Sequence, residues 1–570
     1  MVTAFHCAFF WLRFFDFCGT IKWTEFDLYN EAIMRALLVN PGYPETFWSM
    51  NRVLKRLGKK LLEPPLGLIT MAALLPKDWD LRLVELTVRE ISEQEWNHCD
   101  LVMISGMGVQ SPGILAAIKE GKTRGKIVVV GGPWVFHLPE YAIEAGADIV
   151  VRGEGELAIP LLLEALGRGD SGIVIEATER PNLEDFPTPR YDLLDFDLYA
   201  QLDIQFSRGC PFRCEFCDIT LMFGRHVRTK SSRQVIEELQ IIYDMGWRRF
   251  IFFVDDNFIG NPVKAKALLK EMIPWMEERG HPFELCFQSS VNLAGQPELL
   301  ELLVKAGFYK VFLGIETPDK ESLKLTKKFQ NSAVDLDDVC LTINRGGLVI
   351  VAGFVIGFDN EEPGADQRLI DFAVRNQIPE MFINLLQVGP GTDLYHRLKK
   401  EGRLLSTAYD EEIGNQTAMI NFVPTRPASQ IVEEFIRLYE ILYQPEFYLE
   451  RSYQHFLRIE RPPVKRGFFP PYPRELHTVG ITILKQGLLS SSRWKFWNLF
   501  FKALIKFPRR FPNYISLCVM AEHYYEFRDI IKSKLRAKLL ENDHISTADA
   551  ALVNRARDLA AVNVAKAAEL

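Results

Sequence analysis

Ser207-Arg-Gly-Cys210-Pro-Phe-Arg-Cys214-Glu-Phe-Cys217 follows directly on a strand-like run, Asp203–Ser207, and the reading of the chain turns on it. Cys-x3-Cys-x2-Cys is a loop short enough to wrap three thiolates around one 4Fe–4S cubane, and it leaves one iron without a protein ligand. A fourth cysteine would close the site for electron transfer; an open iron can chelate the amino and carboxylate groups of S-adenosylmethionine (SAM). The alternatives are a zinc site and chance. Zinc would want four Cys or His ligands, and His226 is the only nearby candidate. Chance clustering of buried thiols fits poorly with Gly209 and Pro211, which mark a loop.

Outward from that loop, the chain is 570 residues long, too many for one core. It is 48% hydrophobic and 25% charged, with a net charge of -7, and that balance argues against a protein built to coat nucleic acid. Of the nine cysteines, six are scattered singly (Cys7, Cys18, Cys99, Cys286, Cys340, Cys518). A tight trio in a large chain favours metal over a disulfide framework and implies a reducing compartment, the cytoplasm.

Three zones follow from the periodicity. Residues 35–165 alternate short apolar strands (Ala36–Val39, Leu81–Leu86, Leu101–Ser105, Ile127–Val130, Asp148–Val151) with helical stretches, the pattern of a flavodoxin-like Rossmann domain. Residues 166–199, with Pro181, Pro187 and Pro189, read as a linker. Residues 200–390 carry six more β/α units, with strands at Asp203–Ser207, Phe250–Val254, Phe283–Gln288, Lys310–Gly314, Val349–Ile356 and Phe382–Gln387. They suit a partial (β/α)6 barrel of TIM type, with active residues where strands end. Residues 391–545 are mostly helical by pattern, and 546–570 form an Ala-rich tail. Within the helical zone, Trp494-Lys-Phe-Trp-Asn-Leu-Phe-Phe-Lys-Ala-Leu-Ile-Lys-Phe507 is basic and aromatic together. It reads as a helix covering the barrel or as an interfacial face for lipid or a greasy substrate. Residues 1–34 are an aromatic-rich leader broken by Arg13 and Asp16, and Met34 is taken as the native start, which N-terminal sequencing would check.

The trio, Phe216 before its last cysteine, and its place after the first barrel strand resemble the radical SAM superfamily. The resemblance implies SAM contacts at successive strand ends. Asp255, Asp256 and Asn257 follow the second strand, where a carboxylate would suit the ammonium. Ser289, Ser290 and Asn292 follow the third, toward ribose or carboxylate. Gly314, Ile315 and Glu316 follow the fourth, where glycine permits close approach to the adenine. An acidic pair at a strand end is also a common helix cap. Arg225, Arg228 and Lys230 either hold the SAM carboxylate or are solvated.

The first zone resembles the cobalamin-binding domain of one large radical SAM class, with a helical C-terminal extension of the DUF4070 type, related to the hopanoid methylases. Expected cobalamin contacts are Ser105, Gly106, Gln110, Gly131, Gly132, Pro133, Gly153 and Glu154, at or after strand ends. A ligand-free Rossmann domain is the alternative. The Asp-x-His-x-x-Gly motif is missing, and His98 and His137 lack its context, so cobalamin is expected base-off without a histidine ligand.

The resemblance implies a methyltransferase acting on an unactivated carbon through the 5′-deoxyadenosyl radical and methylcobalamin. The alternatives are a non-methylating oxidative, cyclising or oxygenating reaction with the same cofactors, and a cluster- or cobalamin-binding sensor. RNA methylthiolation needs further cluster cysteines ahead of the barrel, where only Cys99 lies. The 12% aromatic content and the greasy third zone tilt the substrate toward an apolar polycyclic or isoprenoid small molecule. An electron donor such as flavodoxin or ferredoxin is expected, with peripheral membrane contact and no nucleic acid. No acid–base residue is assigned; Tyr309, Asn384, Gln387 and His396 are candidates for the barrel mouth.

Overall fold

Ala36–Val39 and its counterparts are apolar at every position, which suits strands buried on both faces. In the computed structural model, which describes residues 33–541 except 406–413, 468, 470 and 471, they become one parallel sheet. Its strands are β1 (Arg35–Asn40), β2 (Asp80–Glu85), β3 (Leu101–Ser105), β4 (Ile127–Gly131), β5 (Ile149–Gly153) and β6 (Ile173–Ala177), in the order β2-β1-β3-β4-β5-β6. Leu37 and Val39 pack into one helical layer, Ala36 and Leu38 into the other. The order reverses at β1, between β2 and β3, so a crevice opens at the carboxyl ends of β1 and β3. The sixth strand comes from the stretch read as a linker. All but Ile33 and Met34 of the expected leader, and the whole tail 546–570, lie outside the described residues.

The second sheet starts at β7 (Gln201–Ile204). After it come the short antiparallel pair β8 (Ser207–Arg208) and β9 (Arg228–Thr229), then β10 (Phe250–Phe253), β11 (Glu284–Ser289), β12 (Phe308–Glu316), β13 (Val349–Ile356) and β14 (Glu380–Leu385). The six long strands are parallel in the order β14-β13-β12-β11-β10-β7, with β7 and β14 as unjoined edges. This is the expected open six-stranded barrel. On β12 and β14, Val311, Leu313, Met381 and Ile383 belong to the outer core, so Phe312 and Phe382 project inward by strand alternation. Trp48 enters from the segment after β1 and packs on both rings, at 5.9 and 5.0 Å between centroids.

Helices Ala428–Leu442, Pro445–Leu457, Pro473–Leu484, Arg493–Lys506 and Phe511–Glu541 make the third part. The longest locks onto the first domain's chain: Phe47 stacks on Tyr524 at 4.8 Å, and His523 Nε2 donates to Phe47 O at 2.9 Å. Burial pushes the His523 imidazole down to about 4 from its ordinary 6.5. The unfolded chain therefore takes up a proton below about 6.5 that the folded chain refuses until about 4. Stability at this site falls as pH falls through that window, by about 1.4 kcal/mol per pH unit. Relative to the native chain, His523→Gln should gain Tm as pH is lowered from 6.5 to 4. A pH-independent Tm difference would contradict this. Among the described residues no helix is long and apolar enough to cross a membrane.

A candidate cluster and cobalamin site between two domains

The cysteine loop is a lariat closed by the β8–β9 pair. Gly209, at φ +95°, is the residue that lets it turn: a Cβ there would fall 2.9 Å from Gly224 O, 3.0 Å from His226 O and 3.2 Å from Phe223 O. Gly209→Ala is expected to bind several-fold less iron while the first sheet stays folded; full iron loading would contradict the geometry. Cys210, Cys214 and Cys217 are half-buried free thiols. Burial pushes the Cys210 and Cys217 thiols up, so iron binding has to displace protons. Gln330 Nε2 lies 3.5 Å from Cys214 Sγ, and the Lys328 ammonium sits over the Phe216 ring at 5.9 Å. Among the described residues no three His, Cys, Asp or Glu converge on a single-ion site. His226, zinc's missing ligand, is exposed. Three free thiols on one loop, with no fourth partner among the described residues, fit a cubane held at three irons.

The loop is braced from β10. Asp255, fully buried, accepts from Phe206 N at 3.3 Å, Ser207 Oγ at 2.5 Å and Ser207 N; Asp256 accepts from Gly209 N at 2.8 Å. Burial pushes these two carboxyls up to about 7 and about 6. Asn257 accepts from Ser290 N at 3.2 Å. These residues, expected to meet SAM, hold the cluster loop and the neighbouring strand end. Ser289 is buried with its Oγ on Ser290 O, and Asn292 is exposed. At a bulge in β12, Glu316 (φ +66°) pairs with Lys328, and these two groups fill the space beside Gly314. Ile315 is buried, its carbonyl bonded to Asn331 Nδ2.

At the carboxyl rim of the first sheet, Ser105, Gly106, Gly131 and Gly132 come together. A Cβ on Gly132 (φ +93°) would lie 2.4 Å from Ser105 Oγ, and one on Gly153 (φ +114°) 2.2 Å from Ala177 O. The rim is therefore bare, tight backbone, with Pro133 opening the next helix and Met107 standing 41% exposed. Gln110 is buried and spends its amide within the domain, on Met107 N, Asn40 Oδ1 and Pro41 O. His98 bonds Asp80, at the start of β2, and His137 bonds Asp218. A rim of bare glycine backbone fits the face of a corrin ring.

Long-range ion pairs join the two loops. Glu154 Oε1 lies 2.7 Å from Arg228, and its Oε2 lies 2.9 Å from Arg208. Glu156 lies 2.7 Å from Arg208 Nη2. All four groups are buried or nearly so. His137 Nε2 reaches Asp218 Oδ2, one residue beyond Cys217, at 3.1 Å. From the barrel side, Arg397 holds Glu215 at 2.7 Å and Asp359 at 2.6 Å. Sequence reasoning missed Glu215 and Arg397, and gave Glu154 to cobalamin and Arg228 to SAM or solvent. Arg225 is exposed, on Pro211 O, and Lys230 pairs with Glu238. Of the barrel-mouth candidates, Asn384 bonds Gln416, Gln387 accepts from Gly414 N, Tyr309 packs on Phe250, and His396 is exposed on helix Asp393–Glu401.

A cysteine lariat on an open parallel barrel, facing a glycine-rimmed α/β sheet, defines a radical SAM enzyme with a cobalamin domain. Residues 60–163 match the B12 binding domain, 204–373 the radical SAM superfamily, and 392–537 a domain of unknown function (DUF4070). An uncharacterized methyltransferase of Synechocystis sp. is 46% identical over 515 residues, covering 90% of this chain and 95% of that one. The hopanoid C-2 methylase of Rhodopseudomonas palustris is 31% identical over 504 residues, 87% and 93% of the two chains. The chain belongs to the cobalamin-dependent radical SAM methyltransferase family, whose cofactors are a 4Fe–4S cluster, SAM and cobalamin. The fold is shared with the cobalamin-dependent SAM radical enzyme OxsB with aqua-cobalamin bound (TM-score 0.51, 16% identity, 93% of this chain and 84% of that one). It is shared too with the methyltransferase TsrM from Kitasatospora setae with tryptophan and aza-SAM bound (TM-score 0.52, 17% identity, 65% and 76%).

Proposed function

We propose that the protein methylates an unactivated carbon of an apolar polycyclic or isoprenoid small molecule, drawing electrons from a flavodoxin- or ferredoxin-type donor. The observation that carries the reading is the aromatic interior of the barrel: Trp48, 37% exposed, with the inward-facing Phe312 and Phe382. Rings of this kind bind an apolar body through contact area and leave little for a charged one.

When bound, the cluster and SAM supply the 5′-deoxyadenosyl radical, and cobalamin carries the methyl group. The chain's own residues do the positioning. Gly209 and Asp255 set the loop, Glu154 and His137 tie it to the cobalamin rim, and Trp48 keeps water from the reacting carbon. Relatives support the reading: the R. palustris protein is named a hopanoid C-2 methylase, and others are named hopanoid C-3 methylase and bacteriochlorophyllide d methyltransferases. The test is product mass after anaerobic turnover with an apolar lipid extract of the source cells. A Cys214-dependent gain of one CH2 supports the proposal. A product changed by oxidation, ring closure or oxygen insertion instead would overturn the methyl transfer and keep the cofactors.

A further inference from the structure

The helix Arg493–Lys506 is apolar on two opposite faces, and only one of them is covered by described residues. Phe496, Leu499 and Ala503 point into a core shared with helices Pro445–Leu457 and Phe511–Glu541. Trp494, Phe501 and Ile505, spaced seven and then four residues apart and so on one stripe, are 75%, 54% and 75% exposed. A surface helix ordinarily turns its polar side outward.

The stripe continues onto the preceding turn. Trp497 stacks on Phe501 at 5.5 Å and donates from Nε1 to Gly487 O at 2.8 Å. This pins the segment Lys485–Leu489, whose Leu488 and Leu489 are 58% and 72% exposed. Scattered exposed leucines need no explanation, whereas a contiguous apolar patch rimmed by charge marks an interaction surface.

The charge around the patch says what covers it. From Leu476 to Ala521 the sequence holds no aspartate or glutamate, in a chain whose overall net charge is -7. Arg493, Lys502, Lys506 and Arg509 are exposed beside the patch and make no salt bridge with a described residue. Cations flanking exposed Trp, Phe, Leu and Ile complement the headgroup and acyl boundary of an anionic bilayer. A second copy of this acidic chain would offer carboxylates, but the helix itself carries none, and Glu450 of the neighbouring helix is taken up by Lys495, so the patch is not self-complementary in charge.

We propose that this face docks the enzyme peripherally on an anionic lipid surface, with the helix Arg493–Lys506 lying in the plane of the interface. The helix and its charge suffice for this docking, whatever the enzyme's substrate is.

The experiment is co-sedimentation of the full chain with vesicles of phosphatidylcholine alone and of phosphatidylcholine mixed with phosphatidylglycerol, at low and high salt. Two variants are compared, Trp494→Ser/Ile505→Ser and Lys502→Glu/Lys506→Glu. All four side chains are exposed, so an unchanged Tm is expected and is checked. The native chain should pellet with the anionic vesicles and be released by salt. Each cation removed should weaken binding by about five-fold, and loss of the Trp494–Ile505 anchor should weaken it further. No binding to anionic vesicles, equal binding to neutral ones, or binding that both variants retain would overturn the proposal. A dimer that the Trp494→Ser/Ile505→Ser chain cannot form, without vesicle binding by the native chain, would assign the face to a second copy instead.

Discussion

Glu154→Gln is expected to destabilise the protein by about 3–5 kcal/mol, because it leaves Arg228 and half of Arg208 as buried cations without their carboxylate. The amide keeps the shape, so packing is spared and the loss is electrostatic. By contrast, Glu237→Gln, which breaks the exposed i,i+4 pair with Arg233, should cost no more than about 0.5 kcal/mol. The location matters as much as the size. Glu154 follows the glycine rim at β5, and Arg208 stands two residues before Cys210, so the damaged contact is the joint between the two cofactor sites. The variant should lose cobalamin and iron together on desalting, with a lower denaturation midpoint. Loss of one cofactor without the other, at unchanged stability, would contradict a shared clamp.

Lys310→Met is expected to cost as much, about 3–5 kcal/mol, by the same mechanism with the sign of the stranded charge reversed. Lys310 Nζ lies 2.6 Å from Glu380 Oε2, and Tyr524 OH donates to Glu380 Oε1 at 2.6 Å. This group ties the amino ends of β12 and β14 to the long helix Phe511–Glu541. Removing the lysine alone strands a buried carboxylate, whereas Lys310→Met/Glu380→Gln removes both charges and keeps an acceptor for Tyr524. The double variant should recover most of the lost denaturation midpoint. If it is no better than the single one, the interaction is packing and not charge.

How far the sequence could be read depends on the range of the forces involved. Strands such as Val128–Val130 and Val349–Ile356 are apolar on both faces, and burial on both faces writes itself into composition, so the sheets were legible. β6 was missed because Ile173-Val-Ile-Glu-Ala177 is an edge strand beside the Pro-rich stretch, with Val174 and Glu176 exposed. The cysteine trio was legible because its ligands are local. The clamp was not: Glu154 and Arg208 are 54 residues apart, and Glu215 and Arg397 are 182 apart, so no local pattern links them. The sequence offers Asp255 as a SAM contact or a helix cap. Its burial against Ser207 shows a third use of a carboxylate at a strand end, satisfying the backbone of a loop that needs its own side chains for metal.

The central claim is that one chain holds a SAM-cleaving cluster and a cobalamin side by side. The direct measurement is anaerobic reconstitution with iron, sulfide and hydroxocobalamin. After desalting, the bound cobalamin is read by visible spectrum, and 5′-deoxyadenosine is read by mass spectrometry once SAM and a reductant are added. The native chain should retain cobalamin and form 5′-deoxyadenosine, and Cys214→Ala should form none. A fully loaded cluster that cleaves no SAM, even with candidate apolar substrates present, would contradict the account.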